Sequence, residues 1–118
     1  MVKQVSKWEI YFCNLNPAEG SEQQGIRRPV VIISNDAVNH NLPVSTIIPL
    51  SSIKADDKIY PTEIKLPSSI TGLPKDSVAM LQQIRTISHI RLADKAGIIG
   101  DASYRAEILE AIKLYFEY

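Results

Sequence analysis

At 118 residues, 45% of them hydrophobic and 22% charged, the chain has apolar material for one folded domain over residues 1–118 and too little length for a second. Lys plus Arg and Asp plus Glu each number 13, so the formal net charge is zero; this excludes a protein that coats nucleic acid by bulk charge, though not one with a local basic groove. A single cysteine, Cys13, excludes an intrachain disulfide and points to a reducing compartment.

No charged leader with an apolar core opens the chain, and no apolar run approaches about 18 residues. The expectation is a cytoplasmic protein without a membrane partner.

Residues 8–15 predict the first strand, with Trp8, Ile10 and Phe12 on one face and Cys13 a buried structural thiol in the alternation. Asn14, Asn16 and Pro17 end it. A glycine-bracketed polar loop follows over residues 20–28, holding Glu22, Gln23, Gln24, Arg27 and Arg28. Residues 29–34 predict a strand apolar at every position from 30 to 33, as for a strand covered on both faces.

A turn-rich connection over residues 35–43 leads to a third strand, 44–50, which Pro49 should confine to an edge or bulge near its end. Residues 51–58 read as a polar, mobile loop, 60–66 as a half-buried strand, and 67–76 as a second loop. The longest predicted strand is 77–87, placing Gln83, Arg85 and Ile87 on one face. Only residues 103–117 have a helical period, in Tyr104, Ile108, Leu109, Ile112, Tyr115 and Phe116, with Asp101 or Ser103 as cap. Five strands and one helix make a mainly β, α+β chain, best built as a small antiparallel barrel covered by its C-terminal helix. The apolar load at the helix end, which includes Leu114 and Tyr118, suits either the barrel or a second copy of the chain.

One cysteine and two histidines, His40 and His89, match no zinc spacing, and no phosphate loop or nucleophile elbow is present. The expectation is no metal and no cofactor. Both histidines sit in polar loop contexts where a solvated ring is the default, and Asp56 and Asp57 read as a hydrated turn.

Three segments are harder to dismiss. Arg28 precedes Pro29, which pushes it toward extended backbone and sets its guanidinium at the mouth of a buried strand, suited to a phosphate. Ser51 and Ser52 put hydroxyls at a strand end, and Gln83 with Arg85 can line a groove.

Together and in this order, "NPAEGSEQQGIRRPVVIISND", "PLSS", "YPTEIKL" and "GLPKDSVAMLQQIRTI", followed by "RLADKAGII" before the terminal helix, resemble the MazF/PemK family of toxin endoribonucleases. The resemblance runs from about residue 8 onward. It implies an SH3-like barrel of the MazF/PemK/CcdB type, a homodimer, and metal-free cleavage of single-stranded RNA. The partner it implies is a cognate antitoxin with an acidic, disordered tail.

Carried over residue by residue, the resemblance makes Arg28, Ser51 and Glu22 catalytic and Gln23, Arg27, Ser52, Gln83 and Arg85 RNA-binding. Two departures stand out. The loop has one residue more than the family's Gly-x-Arg-Pro form, so anchoring on the proline selects Arg28 and anchoring on the glycine selects Arg27; the strand start is the firmer anchor. Ser51 stands where the family has threonine, keeping the hydroxyl without the methyl that restricts its rotamer. Two other readings compete: a non-catalytic RNA- or antitoxin-binding module, and a gyrase poison of the CcdB type, which the Phe116-Glu117-Tyr118 ending disfavours.

Overall fold

A computed structural model describes residues 4–54 and 56–117; Ala55, in the loop expected to be mobile, and Tyr118 lie outside them. The elements in chain order are β1 (Glu9–Cys13), β2 (Arg28–Ile32), α1 (Asp36–Asn39), β3 (Val44–Ser52), β4 (Glu63–Leu66), α2 (Ser68–Thr71), β5 (Ser77–Met80), β6 (Arg85–Ser88), β7 (Leu92–Ile98) and α3 (Ala102–Phe116). The strands form one antiparallel sheet in the order β4-β5-β3-β2-β1-β7, with β6 also on β3. The sheet bends around its core without closing into a complete barrel, and α3 lies against β4.

β3 is the hinge of this arrangement. Its first half pairs with β6, from Val44↔Ser88 to Ile47↔Arg85, and its middle with β2, from Ile32↔Ile47 to Val30↔Pro49. Its last three residues pair with β5 instead, from Leu50↔Ala79 to Ser52↔Ser77. Pro49 falls between the stretches bound to β6 and β5, where a missing N–H costs no ladder bond to either. The strand therefore runs two residues past the predicted end rather than stopping at the proline.

β2 and β3 are buried on both faces, as the unbroken apolar run requires. Val31, Ile48 and Leu50 join Trp8, Ile10, Leu66, Leu81, Ile99 and Ile108 in one core cluster. Val30, Ile32 and Ile47 join Val5, Tyr11, Cys13, Leu15 and Ile87 in a second. Asp101 caps α3, its carboxylate accepting from the Ser103 and Tyr104 amides at 2.8 and 3.2 Å. Only Ile108 and Ala111 of that helix are buried, with Tyr104 and Ile112 half-buried; Leu109, Leu114, Tyr115 and Phe116 stay exposed.

Two expectations need correction. The predicted 77–87 strand is two strands, β5 and β6, separated by a 3₁₀ turn at Leu81–Gln83. An unbroken strand could not serve both sheet regions, since β5 pairs with the end of β3 and β6 with its beginning. β7 carries Ala93, Asp94 and Lys95 on an exposed sheet edge, so its apolar alternation is too weak to read.

Ile108→Ala should lower the unfolding free energy by about 2–5 kcal/mol in urea titrations, because its cavity opens in the main cluster. Ile90→Ala should change it by less than about 0.5 kcal/mol, its side chain being 85% exposed.

Candidate active site

Arg28 begins β2 opposite Cys13, with Pro29 opposite Phe12. The polar loop folds back over it: the Leu15 amide donates to the Gly25 carbonyl at 2.8 Å, and the Gly25 amide donates to Asn16 Oδ1 at 3.0 Å. Gly25 has φ +130, and a Cβ there would come within 2.6 Å of Arg28 Cδ and 2.8 Å of Cγ. Only glycine lets the loop backbone lie on the arginine's stem. The result is a guanidinium whose Nε is buried with no hydrogen-bond partner. Among the described residues Arg28 has no carboxylate within ion-pair distance.

Arg27 is placed differently. Its guanidinium lies 4.2 Å over the centre of the Phe12 ring and pairs with Asp94 at 3.3 Å, with the side chain about half exposed. The charge of Arg27 is compensated and that of Arg28 is not.

Two clefts border the loop. The first, about 250 Å³, is lined by Phe12, Arg28, Pro29, Leu50, Ser52, Leu73, Pro74, Lys75 and Ser77. The second, about 330 Å³, is lined by Glu22, Gln23, Gln82, Gln83, Ile84 and Arg85. Arg28 and Ser52 thus share one cleft, while Glu22, Gln23, Gln83 and Arg85 share the other. Ser51 lines neither: it pairs with Val78, half-buried. By strand alternation it shares a face with Pro49, and so with Val30 and Arg28, but β3 has turned from β2 onto β5 at that point.

Several candidate side chains already have protein partners. Gln83 grips the loop with both ends of its amide, Oε1 accepting from the Gln23 N–H and Nε2 donating to the Ser21 carbonyl, each at 3.0 Å. Glu22 Oε1 accepts from the Glu19 N–H at 2.8 Å, and Arg85 Nη1 donates to the Leu15 carbonyl at 3.3 Å. The 3₁₀ turn that interrupts the expected strand carries Gln83 to the loop.

His89 departs from the solvated default. It is buried, with Nε2 2.7 Å from Ser45 Oγ, whose own proton goes to Asn39 Oδ1 at 2.7 Å. Nε2 is then the donor, and the ring holds a structural network. His40 contacts Ser6 Oγ at 3.1 Å and Asp36, while Asp57 caps its own turn through the Lys54 N–H. Burial pushes the Cys13 thiol up to about 11, against the pull of Arg91 and Arg85.

Sequence reasoning missed Phe12, Lys75 and Ser77 as cleft residues. Lys75 follows Pro74 and stands two residues before β5, and only the bend of β3 brings that segment to the start of β2.

The site is thus an arginine-bearing loop at one end of a bent antiparallel sheet backed by a terminal helix. The sequence pattern of the PemK-like, MazF-like toxins of type II toxin-antitoxin systems matches residues 6–116, and the chain belongs to that family. It is similar to Endoribonuclease MazF of Staphylococcus saprophyticus, 39% identical over 110 residues that cover 93% of this chain and 89% of that one. Endoribonuclease EndoA of Bacillus subtilis is 37% identical over 97 residues, 82% of each chain. Two solved structures share the fold. MazF (Form-I) from Deinococcus radiodurans has a TM-score of 0.77 at 24% identity, over 98% of this chain and 96% of that one. A mycobacterial endoribonuclease in complex with its cognate antitoxin has 0.74 at 20%, over 97% and 98%.

Two outcomes check this geometry. Gln83→Met, which removes both amide bonds, should speed hydrogen exchange at the Gln23 amide at least about fivefold, since one lost bond is worth about 1 kcal/mol. Cys13 in the native chain should resist iodoacetamide at pH 8 and react once urea unfolds the protein, because the thiolate is the nucleophile.

Proposed function

We propose that this chain is a metal-independent endoribonuclease that cuts single-stranded mRNA, with sequence preference, by attack of a 2′-hydroxyl on the adjacent phosphorus. The products are a 2′,3′-cyclic phosphate and a 5′-hydroxyl end. One observation carries this reading: Arg28 lines a cleft with the Gly25 backbone against its stem and, among the described residues, no carboxylate within ion-pair distance. RNA supplies its own nucleophile, so the protein must align the attack and stabilise charge on the phosphoryl oxygens.

Arg28 takes that charge. Ser51, on the arginine's face of the sheet, is assigned the hydroxyl for a phosphate oxygen, and Ser52, which lines the cleft with Arg28, a contact to the bound RNA. An arginine is a poor proton shuttle because its pKa lies above about 12. Glu22 is assigned the base, and Glu22→Gln separates that role from loop holding, since the amide oxygen still accepts from the Glu19 N–H. Gln23, Arg85 and Arg27 border the path of the strand beyond the cut.

In the same reading the chain is the cytoplasmic toxin of a toxin–antitoxin pair. Its partner is a cognate antitoxin with an acidic, disordered tail, in keeping with the antitoxin-bound relatives. The chain pairs as a homodimer, for which the exposed Leu109, Leu114, Tyr115 and Phe116 offer apolar surface.

The test is incubation with a long single-stranded RNA in excess EDTA, with mapping of the cut ends. Wild-type chain should cut and leave 5′-hydroxyl ends. Arg28→Ala should lose at least about 100-fold in rate, the scale of one electrostatic donor, while Arg27→Ala should lose less than about tenfold. Cuts bearing 3′-hydroxyl ends would reject the mechanism, and a folded wild-type chain with no turnover would make it a binding module.

A further inference from the structure

We infer that the 250 Å³ cleft beside Arg28 seats one nucleotide next to the scissile phosphate, with Lys75 binding that nucleotide's own phosphate. The inference rests on the ribonuclease reading and adds a residue and a subsite to it.

Charge is the first argument. The chain as a whole is neutral, yet Arg28 and Lys75 line one cleft, and neither has a carboxylate within ion-pair distance among the described residues. No carboxylate lines the cleft, whereas Arg27 outside it is neutralised by Asp94 at 3.3 Å, and Arg85 shares the second cleft with Glu22. Asp76, next to Lys75 in the chain, makes no ion pair with it and accepts from the Ser68 N–H through Oδ1 at 2.9 Å. Two uncompensated cations in one concavity form an anion site.

The lysine also stands on a fixed base. Leu73 is buried, with its amide held by Thr71 Oγ1 at 3.1 Å, and the Asp76 carbonyl accepts from the Ile53 N–H at 3.1 Å. The segment that carries Lys75 is thereby tied to α2 on one side and to the end of β3 on the other.

The walls decide what kind of anion fits. Phe12, Pro29, Leu50, Leu73 and Pro74 are apolar, while Ser52 and Ser77 add hydroxyls. A free phosphate gains nothing from an apolar wall. A nucleotide has both parts, a charged phosphate for the two cations and a base whose flat face rewards burial against aromatic and aliphatic carbon.

The experiment measures binding of a single-stranded RNA centred on the mapped cut, with 2′-deoxyribose at the attacking position so that it cannot be cleaved. Affinity is followed against salt for wild type, Lys75→Gln, Lys75→Arg and, as a charge-matched control on α3, Lys113→Gln. Loss of one phosphate contact on a single strand should lower the slope of log K against log salt by about 0.7 in Lys75→Gln. Lys75→Arg should keep the wild-type slope, and Lys113→Gln should change nothing.

A series with one abasic site walked along the RNA should show, among its sensitive positions, one directly beside the cut where wild-type affinity falls roughly 5- to 150-fold. An unchanged slope and affinity in Lys75→Gln overturns the assignment of Lys75. A reduced slope with no sensitive abasic position directly beside the cut overturns the nucleotide seat. Failure of wild-type chain to bind or cut RNA at all overturns the ribonuclease reading instead.

Discussion

The arrangement depends on one strand holding three partners. β3 gives its beginning to β6, its middle to β2 and its end to β5, and is buried along most of its length. That transfer bends the sheet, and the bend brings the start of β2 and the segment before β5 to the same cleft. Arg28 comes from one and Lys75 from the other, 47 residues apart along the chain. A flat sheet would leave them on separate surfaces. Pro49 belongs to this design, since it occupies the one stretch of β3 where neither β6 nor β5 asks for an N–H.

The loop above the cleft is ordered by backbone contacts more than by packing. Most of its side chains are exposed, so burial supplies little of its stability. Hydrogen bonds take over that work: Gln83 to Gln23 and Ser21, Asn16 to Gly25, and Leu15 to Gly25. Gly25 turns this order into function, because its missing Cβ lets the backbone rest on the Arg28 stem and limit the arginine's rotamers. A guanidinium held this way loses less entropy on meeting a phosphate than one on a free side chain.

Electrostatic selection follows from pairing, not from total charge. With 13 basic and 13 acidic residues, the chain has no general attraction for a polyanion. What distinguishes the cleft is that two cations without ion-pair partners among the described residues line it together, with no carboxylate in its lining. The extra arginine of the loop is accounted for in the same way: stacked on Phe12 and paired with Asp94, it leaves the arginine next to the proline as the uncompensated one.

The order of apolar runs and polar breaks was enough to show a mainly β chain with a capped terminal helix, because alternation and the 3.6-residue period are local consequences of burial. The arginine before Pro29 was legible for the same reason: a proline restricts its neighbour through contacts within two residues. The break at Leu81–Gln83 was not legible, since those residues suit a strand and only the demand that β5 and β6 pair with opposite ends of β3 interrupts them. β7 escaped because an exposed edge strand needs no apolar alternation. The division of the site into two clefts, the grip of Gln83 on the loop and the meeting of Lys75 with Arg28 were decided by tertiary structure alone. Each depends on segments far apart in sequence, and no local pattern records which distant backbone a side chain will meet.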